Sequence, residues 1–195
     1  MRILVACEYS GVVRDAFRAK GHDAISCDLL PTDVAGPHLQ CSVSDVINDN
    51  WDMLIAHPPC TYLTNSGVRW LHERAGRWEQ MRDGAEFFRS LWNAPIPKIV
   101  VENPIMHKYA REIIGDKYTQ IVQPWMFGHA ESKATCLWIK GLPPLMETDN
   151  VKEQWRKLPK KEAQRLHMLP PSPDRWKLRS QTYTGIATAM SEQWG

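Results

Sequence analysis

Arg2-Ile3-Leu4-Val5-Ala6-Cys7, then the turn Glu8-Tyr9-Ser10-Gly11, then Val12 to Lys20 closed by Gly21, open the chain, and their reading decides the fold. A short, nearly continuous apolar run is the pattern of a buried strand. After the turn, Val12, Val13, Ala16 and Phe17 recur at helical spacing, and Gly21 suits the end of that helix. His22–Cys27 reads as a second strand, with Asp28 standing at its end. A strand joined to the next through a helix predicts parallel pairing. The alternation continues along the chain. Asp52–Ala56 is a further strand and runs straight into His57-Pro58-Pro59-Cys60. Trp78–Trp92 has the spacing of a long amphipathic helix. Lys98–Val101 is another strand, ending at Glu102-Asn103-Pro104, and Tyr118–Val122 and Thr135–Ile139 are later ones. This order predicts an α/β fold: a Rossmann-like, doubly wound, mostly parallel sheet with helices on both faces. Ligands of such sheets bind beyond the carboxyl ends of the strands. Glu8–Gly11, His57–Cys60 and Glu102–Pro104 are therefore expected to converge on one crevice.

The length of 195 residues predicts a single domain, with a core over 1–140, a short basic segment over 142–180 and a closing helix over 183–195. An apolar fraction of 43% and a charged fraction of 24% are those of a globular chain. The net charge of +2 implies no partner by itself, but its distribution is uneven. Residues 151–180 hold nine Lys or Arg against three Asp or Glu, together with four prolines. That segment reads as partly helical near Val151–Arg165 and irregular afterwards. The five cysteines are scattered, with no C-x-x-C pair and no histidines at a zinc-type spacing, so no metal site is expected and the thiols read as reduced. No secretory leader and no apolar run of bilayer length is visible, which predicts a soluble, cytoplasmic protein without a membrane partner. Most of the nine tryptophans, Trp155 and Trp176 included, are expected in packing roles, with base stacking as the alternative.

Two prolines fix backbone angles around them and so hold the thiol of Cys60 in a stiff loop. Such a cysteine is either a presented nucleophile or a small core hydrophobe. A carboxylate at a strand end, Glu102, can move a proton at a crevice, or simply precede a helix. The two together, 42 residues apart, are more specific. Here the chain resembles the cytosine-C5 DNA methyltransferases, which carry a Pro-Pro-Cys loop after the fourth strand and Glu-Asn-Val after the fifth. Weaker matches follow in the same order: Tyr9-Ser10-Gly11, Asp28, Asp45, Phe127-Gly128 with Lys133 and Thr135, and Tyr183-Thr184-Gly185-Ile186-Ala187. There are departures. The first loop has one glycine, Thr61 replaces the glutamine after the nucleophile, and only some 40 residues separate Leu142 from Tyr183, where the family holds a large target-recognition domain. The compact form is similar to the short cytosine methyltransferase-like proteins of phages.

The resemblance implies Cys60 as nucleophile and Glu102 as its partner at ring nitrogen 3. It implies S-adenosylmethionine as cofactor, held near Tyr9, Ser10, Gly11, Asp28, Leu29, Asp45, Pro58 and Tyr183. Turn or helix capping is the alternative for Asp28 and Asp45. DNA, single- or double-stranded, is the implied partner, near Asn103 and Lys133, with a solvated lysine as the alternative for Lys133. The uneven charge makes Arg156, Lys160, Lys161, Arg175, Lys177 and Arg179 the candidates for backbone contact, with a solvated helix face and basic tail as the alternative. Two other functions stay open: the same ring chemistry on a free pyrimidine nucleotide or with another one-carbon group, and a catalytically idle nucleic-acid-binding protein. An amino-methyltransferase would have an aromatic residue where Cys60 stands. A zinc deaminase would need a glutamate two residues after a histidine and paired cysteines, which His57–Cys60 lacks.

Overall fold

A computed structural model describes all residues, Met1–Gly195. The strands are β1 (Arg2–Ala6), β2 (Asp23–Asp28), β3 (His38–Gln40), β4 (Met53–Ala56), β5 (Lys98–Pro104), β6 (Gln120–Val122) and β7 (Thr135–Lys140). The helices are α1 (Val12–Ala19), α2 (Val43–Val46), α3 (Trp70–Glu73), α4 (Arg77–Trp92), α5 (Lys108–Ile114), α6 (Lys152–Lys157), α7 (Lys160–Ala163), α8 (Arg175–Ser180) and α9 (Thr184–Trp194). The strands form one sheet in the order β3-β2-β1-β4-β5-β7-β6, parallel throughout except that β7 runs antiparallel to both β5 and β6. This is the Rossmann-like, doubly wound arrangement expected from the alternation of elements.

The apolar strands are buried on both faces because successive side chains point to opposite sides. Leu4, Ala6, Leu54, Ala56, Ile99 and Val101 join one core with Met81, Phe88 and Leu91 of α4 and Ala110 of α5. Ile3, Val5, Met53, Ile55 and Val100 join the other with Val13 and Phe17 of α1 and Ile186, Met190 and Trp194 of α9. Trp138 of β7, 1% exposed, packs edge-on against Phe88 at 4.8 Å between ring centres. The closing helix is thus a structural partner of α1. Its entry demands glycine at 185, where a Cβ atom would lie 1.9 Å from the Phe127 carbonyl oxygen. Phe127-Gly128 and Tyr183–Ala187 are accordingly packed against one another.

The structure departs from the sequence reading at several places. β3, α2 and α5 were not marked by periodicity, being short or, for β3, partly exposed. β5 runs on to Pro104, so Glu102 and Asn103 belong to the strand and pair with Leu137 and Cys136 of β7. The stretch after Pro173, read as irregular, contains α8. Trp176 on that helix is 51% exposed rather than packed in a core, although its ring touches Tyr9 at 5.7 Å between centres. No helix is long and apolar enough to cross a membrane.

Candidate functional site

The order β1-β4-β5 sets the loops after these three strands side by side at the carboxyl edge of the sheet. Between β1 and β4 the strand order reverses direction, the point at which such sheets open a crevice. The structure therefore brings the three clusters together, from residues far apart in the chain.

The loop after β4 is pinned from its neighbour. Ala56 pairs with Val101, which places the following residues of the two strands next to each other. Asn103, 1% exposed, donates from Nδ2 to the Pro58 carbonyl at 3.1 Å. That bond and the two prolines fix the loop from which Cys60 projects, half-buried. Asn103 thus faces the Pro-Pro-Cys loop rather than open space. Its Oδ1 is buried with no partner in the protein.

His57 lies beside Glu102, with Nδ1 3.1 Å from Oε2 and the side chains 12% and 13% exposed. Burial opposes charge on each. The mutual hydrogen bond and attraction outweigh it, with Glu8 adding to the pull on His57 and Lys133 to that on Glu102. The imidazole value is raised and the carboxyl value lowered, so each partner favours the charged form of the other. Nε2 of His57 is buried without a partner in the protein. Sequence reading placed His57 in the crevice but gave it no role. Its signal was its position, directly after a fully buried strand. Burial pushes the Cys60 thiol above its ordinary value, while Lys133 and Arg179 pull it back down.

The loop after β1 is organised differently. Glu8, 4% exposed, accepts the backbone N–H groups of Val13 at 2.7 Å and Arg14 at 3.2 Å, so its carboxylate caps α1. Gly11 has φ of 74°, and a Cβ there would meet the Arg14 guanidinium at 2.4 Å. Arg14 is fully buried. It pairs with Asp15 at 2.7 Å and donates to Ser26 at 3.1 Å and Thr32 at 3.3 Å, fastening the chain between β2 and β3 to α1.

Residues 177–182 cross this loop as a strap. The Tyr9 hydroxyl donates to the Lys177 carbonyl at 3.2 Å and shares a 2.8 Å hydrogen bond with Ser180. Lys177 pairs with Asp33 at 3.1 Å, and Lys133 donates to the Gln181 carbonyl at 3.3 Å. Beneath the strap, Cys7, Glu8, Tyr9, Ser10 and His57 enclose a cavity of only about 20 Å³ with Ser180, Gln181 and Thr182.

The remaining expected residues sit as follows. Asp28 ends β2 and accepts the Leu30 N–H at 2.9 Å, a turn cap, while Leu29 beside it is 73% exposed. Asp45 is exposed in the first turn of α2, whose cap is Ser42. The Tyr183 hydroxyl donates to Glu131 at 2.8 Å. Arg175 is turned inward, donating to the Leu169 and His167 carbonyls. Arg156, Lys160, Lys161 and Arg179 are exposed, with Arg156 paired to Glu153 on its own helix.

No protein-family model and no curated relative matches the chain. Among solved structures it is similar to a protein described as a DNA modification methyltransferase encoded within a prophage of E. coli, with a TM-score of 0.46 and 16% identity over 81% of this chain and 55% of that one. It is also similar to the Entamoeba histolytica methyltransferase EhMeth, with a TM-score of 0.46 and 15% identity over 76% of this chain and 57% of that one. The chain spans little more than half the length of either structure.

Proposed function

We propose that this chain is a cytosine-C5 methyltransferase acting on DNA, with Cys60 adding to ring carbon 6 and Glu102 assisting at nitrogen 3. The observation that carries the reading is the clamp between β4 and β5. Asn103 ties the Pro-Pro-Cys loop to the strand that bears Glu102, so a thiol and a carboxyl meet one crevice from adjacent strands.

Carbon 5 of cytosine is a poor nucleophile. Addition of a thiolate to carbon 6 gives an enamine-like ring whose carbon 5 can attack an electrophile, which divides one hard step into easier ones. Loss of the carbon-5 proton and expulsion of the sulfur then restore the aromatic ring. The positive charges of Lys133 and Arg179 favour the thiolate of Cys60. A proton supplied at nitrogen 3 stabilises the adduct, a task that suits a carboxyl beside the ring.

S-adenosylmethionine, when bound, supplies the electrophilic methyl group. The residues around the ends of β1 to β3 fit it. Asp28 offers a carboxylate for ribose hydroxyls, exposed Leu29 an apolar surface for adenine, and Asp45 a nearby acceptor. Tyr9 and Ser10 line the small cavity at this point, and Gly11, Pro58 and Tyr183 would complete the donor site. The 20 Å³ beneath the strap takes about one water, so entry of the donor's amino-acid end requires residues 180–182 to lift.

The target base must be extruded from a duplex or presented on a single strand. Exposed Arg156, Lys160, Lys161 and Arg179 are the cations placed to contact phosphates, with Lys133 nearer the reacting ring. Arg175 and Lys177 hold internal partners, and their part in binding depends on the strap opening.

The test is expression of wild type and Cys60→Ala in cells that lack cytosine-C5 methylation, followed by mass spectrometry of nucleosides from total DNA. The reading expects 5-methylcytosine with wild type alone. An equal signal from Cys60→Ala would remove Cys60 as nucleophile. A Cys60-dependent product found in the nucleotide pool and not in DNA would move the substrate to a free pyrimidine nucleotide. Salt-sensitive DNA binding without product or donor binding would leave a binding protein.

A further inference from the structure

Glu102 as the group that assists nitrogen 3 raises a question of proton supply. A glutamic acid of ordinary value, 4.5, carries almost no proton near neutral pH, and this one is held lower still. The group placed to hold that proton is next door: His57, whose Nδ1 meets Glu102 and whose value the pair raises. The two residues are neighbours across the β4–β5 ladder and meet at 3.1 Å in a space that admits little water. The other charged or titratable groups acting on them are Glu8 from the loop after β1 and Lys133 from the segment before β7. Cys60, with Arg179 of α8, completes the surroundings. Nδ1 is committed to Glu102, whereas Nε2 has no partner in the protein, so nothing else in the chain claims the imidazole.

We propose that His57 is a positioning residue that keeps one proton stored on the His57–Glu102 pair, and that this proton passes through Glu102 to nitrogen 3 as Cys60 adds to the ring. The proposal rests on the cytosine-C5 reading above. The step balances from the Cys60 thiolate, formed when the thiol gives its proton to solvent. The sulfur electron pair forms the bond to carbon 6, the carbon 5–carbon 6 π pair moves to the carbon 4–carbon 5 bond, and the carbon 4–nitrogen 3 π pair takes the proton. The thiolate's negative charge and the imidazolium's positive charge disappear together. Glu102 ends as the carboxylate it was, and His57 as a neutral imidazole. Cancelling two opposite charges in a crevice that is poorly solvated is favourable where creating one would be costly.

The test has two parts. NMR titration of the imidazole in the free protein, without donor or DNA, should show His57 titrating above its ordinary 6.5, and its value should fall in Glu102→Gln. A His57 value at or below 6.5 in wild type would overturn the stored proton, whatever the enzyme does. The second part compares initial rates of 5-methylcytosine formation by wild type and His57→Gln across pH. Glutamine can still donate a hydrogen bond to Glu102 but cannot carry the proton. The variant should lose on the order of 10²-fold in kcat between the folded values of Glu102 and His57, where only wild type holds the stored proton. The loss should shrink as pH rises through the His57 value. The ratio of variant to wild type should climb as falling pH lets solvent protonate Glu102. Parallel profiles, with a constant ratio, would overturn the His57 proposal and leave the methyltransferase reading standing. Absence of any Cys60-dependent product from wild type would overturn both.

Discussion

The loops after β1 and β4 leave the same edge of the sheet on adjacent strands, yet they handle buried polar groups in opposite ways. After β1 every such group is matched. Glu8 receives two backbone N–H groups of α1, the Ser10 hydroxyl donates to Glu8, and the Tyr9 hydroxyl is held by the strap. After β4 the groups are buried but incompletely matched: Nε2 of His57 and Oδ1 of Asn103 lack partners in the protein, although Nδ1 of His57 meets Glu102. A saturated cluster gives rigidity. A buried cluster with hydrogen-bonding capacity left over is poised for a ligand, because an unmatched buried polar group costs roughly 1–3 kcal/mol that a substrate can recover.

The sharpest division between the two loops should appear with Cys60→Ala. Transfer of label from donor to DNA should fall by at least about 10³-fold, as expected for loss of a covalent nucleophile, with the melting temperature little changed. Appreciable residual transfer would place the chemistry elsewhere.

Glu102→Gln should lower the same rate by about 10²–10⁴-fold and alter the stability profile with pH. The His57 value is raised on folding, so its contribution is full below the ordinary 6.5 and is lost as pH rises through the folded value. The Glu102 value is lowered, so its contribution is full above the ordinary 4.5 and is lost as pH falls through the folded value. The melting advantage of wild type over Glu102→Gln should be greatest between those two values and shrink on either side. An advantage independent of pH would mean that the pair is not ionised.

Glu8→Ala should act on folding instead. Leaving two N–H groups of α1 without their acceptor should cost about 2 kcal/mol. For a chain of this size that is roughly 4–8 °C in melting temperature, read by calorimetry. A large loss of activity without loss of stability would break the contrast, by making Glu8 a functional group.

The smallest effect belongs to Tyr9→Phe. Losing the hydroxyl that holds the strap should cost about 0.5–1.5 kcal/mol. It should show as faster tryptic cleavage after Lys177 and Arg179 and faster donor association in stopped flow. Unchanged cleavage would mean that the Lys177–Asp33 pair and the Lys133–Gln181 contact hold the strap without Tyr9.

The sequence by itself determined the longer elements of local structure. Apolar runs such as Ile3–Ala6 and Met53–Ala56 read as buried strands in a sheet covered on both faces, and Val12 to Phe17 as the inner face of a helix. Their order predicted the Rossmann-like sheet, and Pro58-Pro59 predicted a stiff loop in front of Cys60. These are short-range properties, written in side-chain period and backbone restriction. The tertiary structure decided which distant residues meet. β3 is three partly exposed residues that become a strand only because Ser26–Asp28 supplies an edge to pair with. Strand order, which no local pattern carries, makes β4 and β5 neighbours and so turns His57 and Glu102, 45 residues apart, into one charged pair. It likewise lets Tyr9 hold Ser180 across 171 residues. Protonation follows from that meeting, because burial and a partner's charge act through space, not along the chain.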